Sequence, residues 1–386
     1  MAIIHQRRGA LAPNIDSIDE WIKINRKFLP IPALEKLGLV IKETERGYSN
    51  AELLYLIVLA TLTNSTLEAM SEALRKVFPG IASADTILKH IRKFDLDKIE
   101  KMINRALAES FRAAWIPSVK ALVAVDMTDI YYYGNLEETD AKHTRPRRGT
   151  HYAYRFMVAS IVSEKGKFVL HVRLVRRNED LKTALRKVLE KVRRLVRISW
   201  LILDKGFFQV RIIRMLKRMK ISFVIAVPRR ENLDELASRG SFVIRYTVTS
   251  KKYGKEIVYI VGFTDEKGVV YYATNKLIKR KRCGDMHRRY KKRWRIEVSF
   301  AVIKRAVAKT TSKSSSVRLF LFAISCILYN LWILTNFSWT SRRSKLRIVA
   351  PETKKRYVHW LIQVIIVIIA MYLTRQNRLR LNNYTK

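Results

Sequence analysis

Residues 119–126, VKALVAVD, decide how this chain is read. The run follows Pro117, where an upstream helical pattern stops, and it is short, apolar, rich in β-branched valine and closed by Asp126. Such a run is a buried strand with a carboxylate at its end. A second run of the same design, ISWLILD, occupies residues 198–204 and closes on Asp204. Between the two, residues 152–162 and 168–175 read as strands joined by a turn at 164–167, and a helix opens at Asn178, with Glu179 and Asp180 in its first turn, and runs to about Val196. After Asp204, residues 206–219 read as a helix and 221–227 as a strand closed by Pro228.

Three strands, helix, strand, helix, strand is the order of a ribonuclease-H-like fold: antiparallel strands first, then parallel strands with helical crossovers. The expected class is therefore α/β, a ribonuclease-H-like core with a β-rich insertion, preceded by a helical N-terminal region. The insertion is residues 229–280, in which 241–249, 256–264 and 269–274 read as strands. A helix then runs from Asp285 to about Lys309, followed by an uncharged stretch at 319–341. Upstream, residues 1–50 are irregular around Pro13, Pro30 and Pro32, and Leu53, Leu56, Ile57 and Ala60 begin helical spacing. Residues 66–74, a turn at 78–80 and residues 83–94 read as helix, turn, helix, with Ser83 as cap and Lys89, His90, Arg92 and Lys93 on the second helix. That pair fits a DNA-binding motif, and a plain helical hairpin fits the same pattern. The expected division is 1–117 as the helical region, with DNA-end binding as its candidate role; 118–228 with 281–340 as the catalytic core; 229–280 as the insertion; and 341–386 as a C-terminal helix and tail.

Charge points to the partner. Lys and Arg number 76 against 33 Asp and Glu, a formal net charge of +43 in 386 residues. Self-repulsion of that size opposes the compact state, and a polyanionic partner offsets it. The cations are spread along the chain rather than confined to a tail, which favours a broad nucleic-acid footprint over a solubilising surface. Two cysteines, Cys283 and Cys326, exclude a disulfide framework and fit a reducing compartment, and neither C-x-x-C nor H-E-x-x-H spacing occurs. The N-terminus has no apolar signal region, so the expected location is cytoplasmic, with the nucleoid. Residues 319–341 are long enough to span a bilayer and 361–373 are short for it; Ser325, Asn330, Thr335 and Asn336 make the first a buried core helix, and no membrane is expected.

Asp126 and Asp204 each end an apolar strand, where sites are built in open α/β sheets. On neighbouring strands their charges repel unless a cation sits between them, and a divalent metal with oxygen ligands answers that need. Turn residues after strands are also often aspartate, so each alone is weak. Asp129, three residues on, is a rival for Asp126. In the later helix, Tyr290, Arg293, Glu297 and Lys304 fall at roughly 0°, 300°, 340° and 320° around the axis, one arc carrying a carboxylate, two cations and a phenol. A solvated face with an internal Arg293–Glu297 pair gives the same arc. The basic run at 142–148 reads as a loop beside the site, and Tyr271 and Tyr272 as strand packing.

These four residues stand in the pattern Y-x2-R-x3-E-x6-K, which resembles the YREK signature of transposases of the fourth insertion-sequence family and its archaeal relatives. Asp126-Met-Thr-Asp129-Ile-Tyr-Tyr-Tyr-Gly134 resembles the first-aspartate segment of the archaeal group, and Asp204-Lys-Gly-Phe the second, D-x-G-[FY]. The likeness covers about residues 119–335. It implies a DDE triad of Asp126, Asp204 and Glu297 holding two Mg²⁺ ions, with Mn²⁺ as a possible substitute, Asp126 bridging both ions. It implies that Tyr290, Arg293 and Lys304 contact DNA, that the partners are double-stranded transposon ends and target DNA, and that the enzyme works as a homodimer on DNA. Magnesium-dependent end cleavage and strand transfer would follow. A nuclease of the same fold that cuts without joining, and a non-catalytic DNA-binding relic, are the alternatives.

Overall fold

The computed structural model describes residues 34–43, 47–76, 80–113, 120–147, 149–163, 166–265 and 268–340. The readings of 1–33 and 341–386, the apolar run at 361–373 included, lie outside them. The N-terminal helices are α1 (Asn50–Leu62), α2 (Leu67–Arg75), α3 (Ala84–Arg92) and α4 (Leu96–Ala113). Each of the first three starts where a side-chain oxygen takes up an orphan backbone N–H. Ser49 and Glu52 form a reciprocal capping box on α1, Thr66 caps α2, and Ser83 caps α3 as its position in sequence suggests.

The chain then builds β1 (Lys120–Tyr132), β2 (Lys142–Arg147), β3 (Thr150–Ser163), β4 (Gly166–Leu174), α5 (Leu181–Val192), β5 (Arg197–Leu203), α6 (Val210–Arg218) and β6 (Phe223–Val227). It continues with α7 (Glu231–Ala237), β7 (Phe242–Ser250), β8 (Gly254–Asp265), β9 (Gly268–Thr274), α8 (Cys283–Lys291), α9 (Trp294–Ile303) and α10 (Ser315–Thr340). The described strands form one nine-stranded sheet in the order β2-β3-β1-β5-β6-β9-β8-β7, with β4 also paired to β3. Neighbouring β1 and β3 run antiparallel, whereas β1, β5 and β6 run parallel to one another. The result is a mixed α/β core with N-terminal helices and a β-rich region. The β-rich segment continues the core sheet, because β9 pairs antiparallel with β6.

Several element boundaries differ from the sequence expectation, each for a pairing reason. Strand β1 does not stop at Asp126: β3 pairs with it as far as Tyr132 opposite Tyr152, which leaves Asp126 in mid-strand. The basic run is not a loop, since residues 142–147 pair with β3 as β2. The helix expected over 206–219 is a 3-10 turn, Lys205–Phe207, followed by α6. The insertion also holds a helix, α7. The long helix after Asp285 is two helices, α8 and α9, separated at Lys292 and Arg293. There the backbone N–H groups of Lys292 and Arg293 bond to carbonyls three residues back, Arg289 at 3.3 Å and Tyr290 at 2.8 Å.

Helix α10 is the spine of the molecule. Its stretch Ser315–Leu334 is the one described helix long and apolar enough to cross a membrane, and its apolar window is buried inside the fold. It packs against β4 and α4 and reaches α1 and α3. Asn330, fully buried on it, accepts from Val169 N–H at 2.9 Å and donates to Val169 C=O at 2.8 Å. Asn104 of α4 does the same for Val172, at 2.9 and 2.8 Å. Both amides thus fill the side of β4 that faces away from β3. The three-residue step from Val169 to Val172 reflects a register irregularity in the β3–β4 ladder, where Ser160 opposes Val169 and Ala159 opposes His171. A parallel bridge between Thr66 and Lys309 ties the segment after α9 to the start of α2.

Candidate active site

Side chains alternate between faces along a strand. Leu122, Ala124, Asp126 and Thr128 of β1 therefore share one face, and Trp200, Ile202 and Asp204 continue it on β5. The parallel ladder ends with Val125 opposite Leu203. Asp126 and Asp204 are the next residues on each chain, on strands about 4.8 Å apart. At this point β5 leaves the sheet: Asp204 starts the 3-10 turn, anchored by the fully buried Phe207. Helix α8 lies over the same face, its Cys283 and Met286 packed with Val224, Val261 and Tyr272. Helix α9 then brings Glu297 to the two aspartates.

Arg293, at the break between α8 and α9, joins the carboxylates. Its Nη1 donates to Asp126 Oδ2 at 2.9 Å, and its Nη2 meets Glu297 Oε1 at 2.6 Å. The pair that helical spacing alone suggests is thus present, and the guanidinium reaches a second acid beyond it. Tyr290 positions Arg293, lying under its guanidinium at 5.5 Å from the ring centroid, and is itself packed on Tyr272 at 4.7 Å. Burial pushes the Tyr290 phenol up to about 12. Arg293 Nε is buried with no hydrogen-bond partner among the described residues.

Asp126 is 13% exposed. Burial raises its carboxyl to about 6, against the opposing pull of Arg293 and of the Met127 N–H; Asp204 and Glu297 add to the rise. The three acids therefore share one electrostatic neighbourhood. Asp129, the rival, has odd spacing from Asp126 and points to the other face. There its oxygens are taken by Arg155 Nε and Nη2, both at 2.8 Å, and by the Thr144 hydroxyl at 2.8 Å, which hold it below the usual carboxylate range despite burial. Its carboxylate is committed to holding β1, β2 and β3 together.

Because α8 and α9 are separate, the expected single arc of four residues does not exist as such. Tyr290, Arg293 and Glu297 nevertheless gather at the aspartates. Lys304 sits at the end of α9, where its Nζ donates to the Asp129 carbonyl at 3.0 Å, with Arg147 and Asp126 among its charged neighbours. Tyr271 and Tyr272 are buried in the sheet packing. The basic β2 hairpin is divided: Lys142 donates inward to the Glu179 carbonyl at 3.2 Å, while Arg145 and Arg147 are exposed. Trp294, directly after Arg293, is 65% exposed, and Trp200 lies beneath Arg289 of α8. Neither tryptophan was flagged by its pattern, since a lone aromatic in an apolar or basic run carries no spacing signal.

The donor chemistry is of the kind a hard divalent cation takes: three carboxylates, two on adjacent strands, one of them raised chiefly by burial. As the side chains stand, Arg293 supplies the positive charge between Asp126 and Glu297. Among the described residues no group of three or more His, Cys, Asp or Glu is gathered closely enough to hold a metal ion.

Two aspartates on adjacent parallel strands and a helical glutamate thus meet on one face of a mixed α/β sheet. Residues 117–331, more than half of the chain, match the family described as transposase DDE domain, and the protein belongs to that family. No curated protein matches it.

Proposed function

We propose that this protein is an insertion-sequence transposase that cleaves transposon ends in a magnesium-dependent reaction and joins them to target DNA, with Asp126, Asp204 and Glu297 as its DDE triad. The observation that carries the reading is the joining of Asp126 and Glu297, far apart in sequence, through one guanidinium beside Asp204. A ribonuclease-H-like core is supported by the strand order β4-β3-β1-β5-β6, with β3 antiparallel and β5 and β6 parallel to β1.

Asp126, Asp204 and Glu297 would hold two divalent cations. When bound, these lower the pKa of an attacking water or DNA 3′ hydroxyl and neutralise the leaving oxygen. The residues do the rest. Arg293 neutralises the acids until DNA arrives, and its unpartnered Nε favours exchange of the carboxylates for a phosphate, which a guanidinium grips in bidentate fashion. Tyr290 keeps that guanidinium over the site. Lys304, at the end of α9, would take a neighbouring phosphate. Helices α2 and α3, with Lys89, Arg92 and Lys93 around a surface hollow, serve end recognition. Cutting two ends in concert requires two such sites, hence a homodimer on DNA.

The test is Asp204→Ala assayed on DNA bearing the element's termini. Cleavage in Mg²⁺ should vanish while binding to terminal DNA stays within about 3-fold, well under the tenfold that 1.4 kcal/mol represents. Full cleavage by the variant refutes the triad. Wild-type cleavage without joining of pre-cut ends would make the protein a nuclease instead.

A further inference from the structure

Away from the carboxylates, α8 and the start of β5 enclose a second cleft on the same face of the sheet. It measures ≈ 570 Å³ and is lined by Leu122, Ser199, Trp200, Asp285, Arg288, Arg289 and Lys292. Asp285, Arg288, Arg289 and Lys292 recur at the spacing that puts side chains on one helical stripe. Three of those four are cations, and Asp285 is already bonded to Arg288. The Arg289 guanidinium rests on the Trp200 ring, 4.4 Å from its centroid, so an aromatic surface rather than a carboxylate supports it. The stripe leads directly into Arg293, whose guanidinium sits on Asp126. Trp200 and Asp204 lie on one face of β5 four residues apart, about 13 Å. That span is within reach of phosphates a few nucleotides apart on one DNA strand.

We propose that this cleft is a second DNA-backbone site, in which Arg288, Arg289 and Lys292 hold phosphates of the strand whose reacting phosphate lies at Asp126, and Trp200 orients Arg289. The inference rests on the proposed function and adds a site to it. A planar, pre-oriented guanidinium is suited to phosphate oxygens, since little side-chain freedom is lost when it binds. The occupant is the sugar-phosphate backbone, so the contact adds affinity and register without sequence preference.

The experiment is salt-dependent fluorescence anisotropy of the full-length protein with a duplex of ~30 base pairs, free of divalent metal, between about 50 and 200 mM salt. Arg289→Gln should lower the slope of log K against log salt by about 0.9, one phosphate contact. Joint replacement of Arg288, Arg289 and Lys292 by Gln should lower it by about 2–3. Arg186→Gln, on the exposed side of α5, should leave it unchanged. Trp200→Leu should weaken binding several-fold at an unchanged slope, because it frees Arg289 without removing its charge. Melting curves identify any variant that fails to fold, and Arg288→Gln with Lys292→Gln then serves in place of Arg289→Gln. A slope for Arg289→Gln equal to wild type overturns the site alone, as does an equal loss in Arg186→Gln. Absence of DNA binding by the wild type overturns the site and the proposed function together.

Discussion

Asp126 and Asp129 show how three positions along one strand separate two carboxylates by role. Asp126 faces α9, where burial raises it to about 6; Asp129 faces the other way, and Arg155 and Thr144 hold it low. For Asp126 the folded value lies above the ordinary 3.8, so the native state holds the proton more tightly than the unfolded chain. The stability this confers is complete below about 3.8, and it is lost as pH rises through about 6. Metal-free Asp126→Asn should therefore be more stable than wild type at neutral pH, on the order of 1–3 kcal/mol in denaturant melts, while losing cleavage. A destabilised Asp126→Asn would show that the Arg293 pair outweighs the burial. Cleavage by the wild type should fall as pH drops through about 6, because the cation needs the ionised carboxylate, and the midpoint should move down as Mg²⁺ is raised. A pH profile insensitive to Mg²⁺ would argue that Asp126 is not a ligand. Asp129→Asn has a different expected phenotype. It leaves the Arg155 charge half-buried and unpaired, and should cost about 2–4 kcal/mol in urea melts.

At the level of elements, two asparagines complete a ladder. Asn104 and Asn330 each present an amide to the N–H and C=O of one β4 residue, so a helix side chain occupies the place of a missing strand. Replacing Asn330 by Leu leaves both Val169 groups unpaired in a dry core and should cost about 2–4 kcal/mol in chemical denaturation, far more than Leu for an exposed Asn. Strands β1, β3, β4 and β5 announce themselves through runs of valine, isoleucine and leucine, and the core order follows from them. Strand β2 does not, because KHTRPR has no apolar alternation and is a strand only through its pairing with β3. The reading of β1 stopped at Asp126 because a carboxylate breaks an apolar run, although the partner strand continues to Tyr152. The α8–α9 break is invisible in the sequence, because neither Lys292 nor Arg293 is a residue type that signals a helix end by itself. The Arg293–Glu297 pair was legible from its helical spacing. The link from Arg293 to Asp126 was not, since it spans 167 positions and depends on how α9 docks.

On the scale of the whole molecule, the net charge of +43 has a thermodynamic signature. Screening weakens self-repulsion, so the melting temperature in the absence of DNA should rise as salt is raised from about 0.01 to 0.15 M, where the Debye length shrinks from about 30 to 8 Å. A melting temperature that falls with salt would mean that the ion pairs of Glu100, Glu179 and Asp129 with Arg173 and Arg155 matter more than the surface excess. Helix α10 unites this charged exterior with a single interior, touching the N-terminal helices and the sheet alike. That has a consequence in time. At ~5–20 residues per second, on the order of 15–60 s separates the emergence of Ser49 from the ribosome and that of Asn330. Until then α1 and α4 lack the helix that covers their apolar faces, and β4 lacks one of the two amides that close it. The nascent protein must therefore spend most of its synthesis with an open seam between its two halves, a seam that its own last described helix seals.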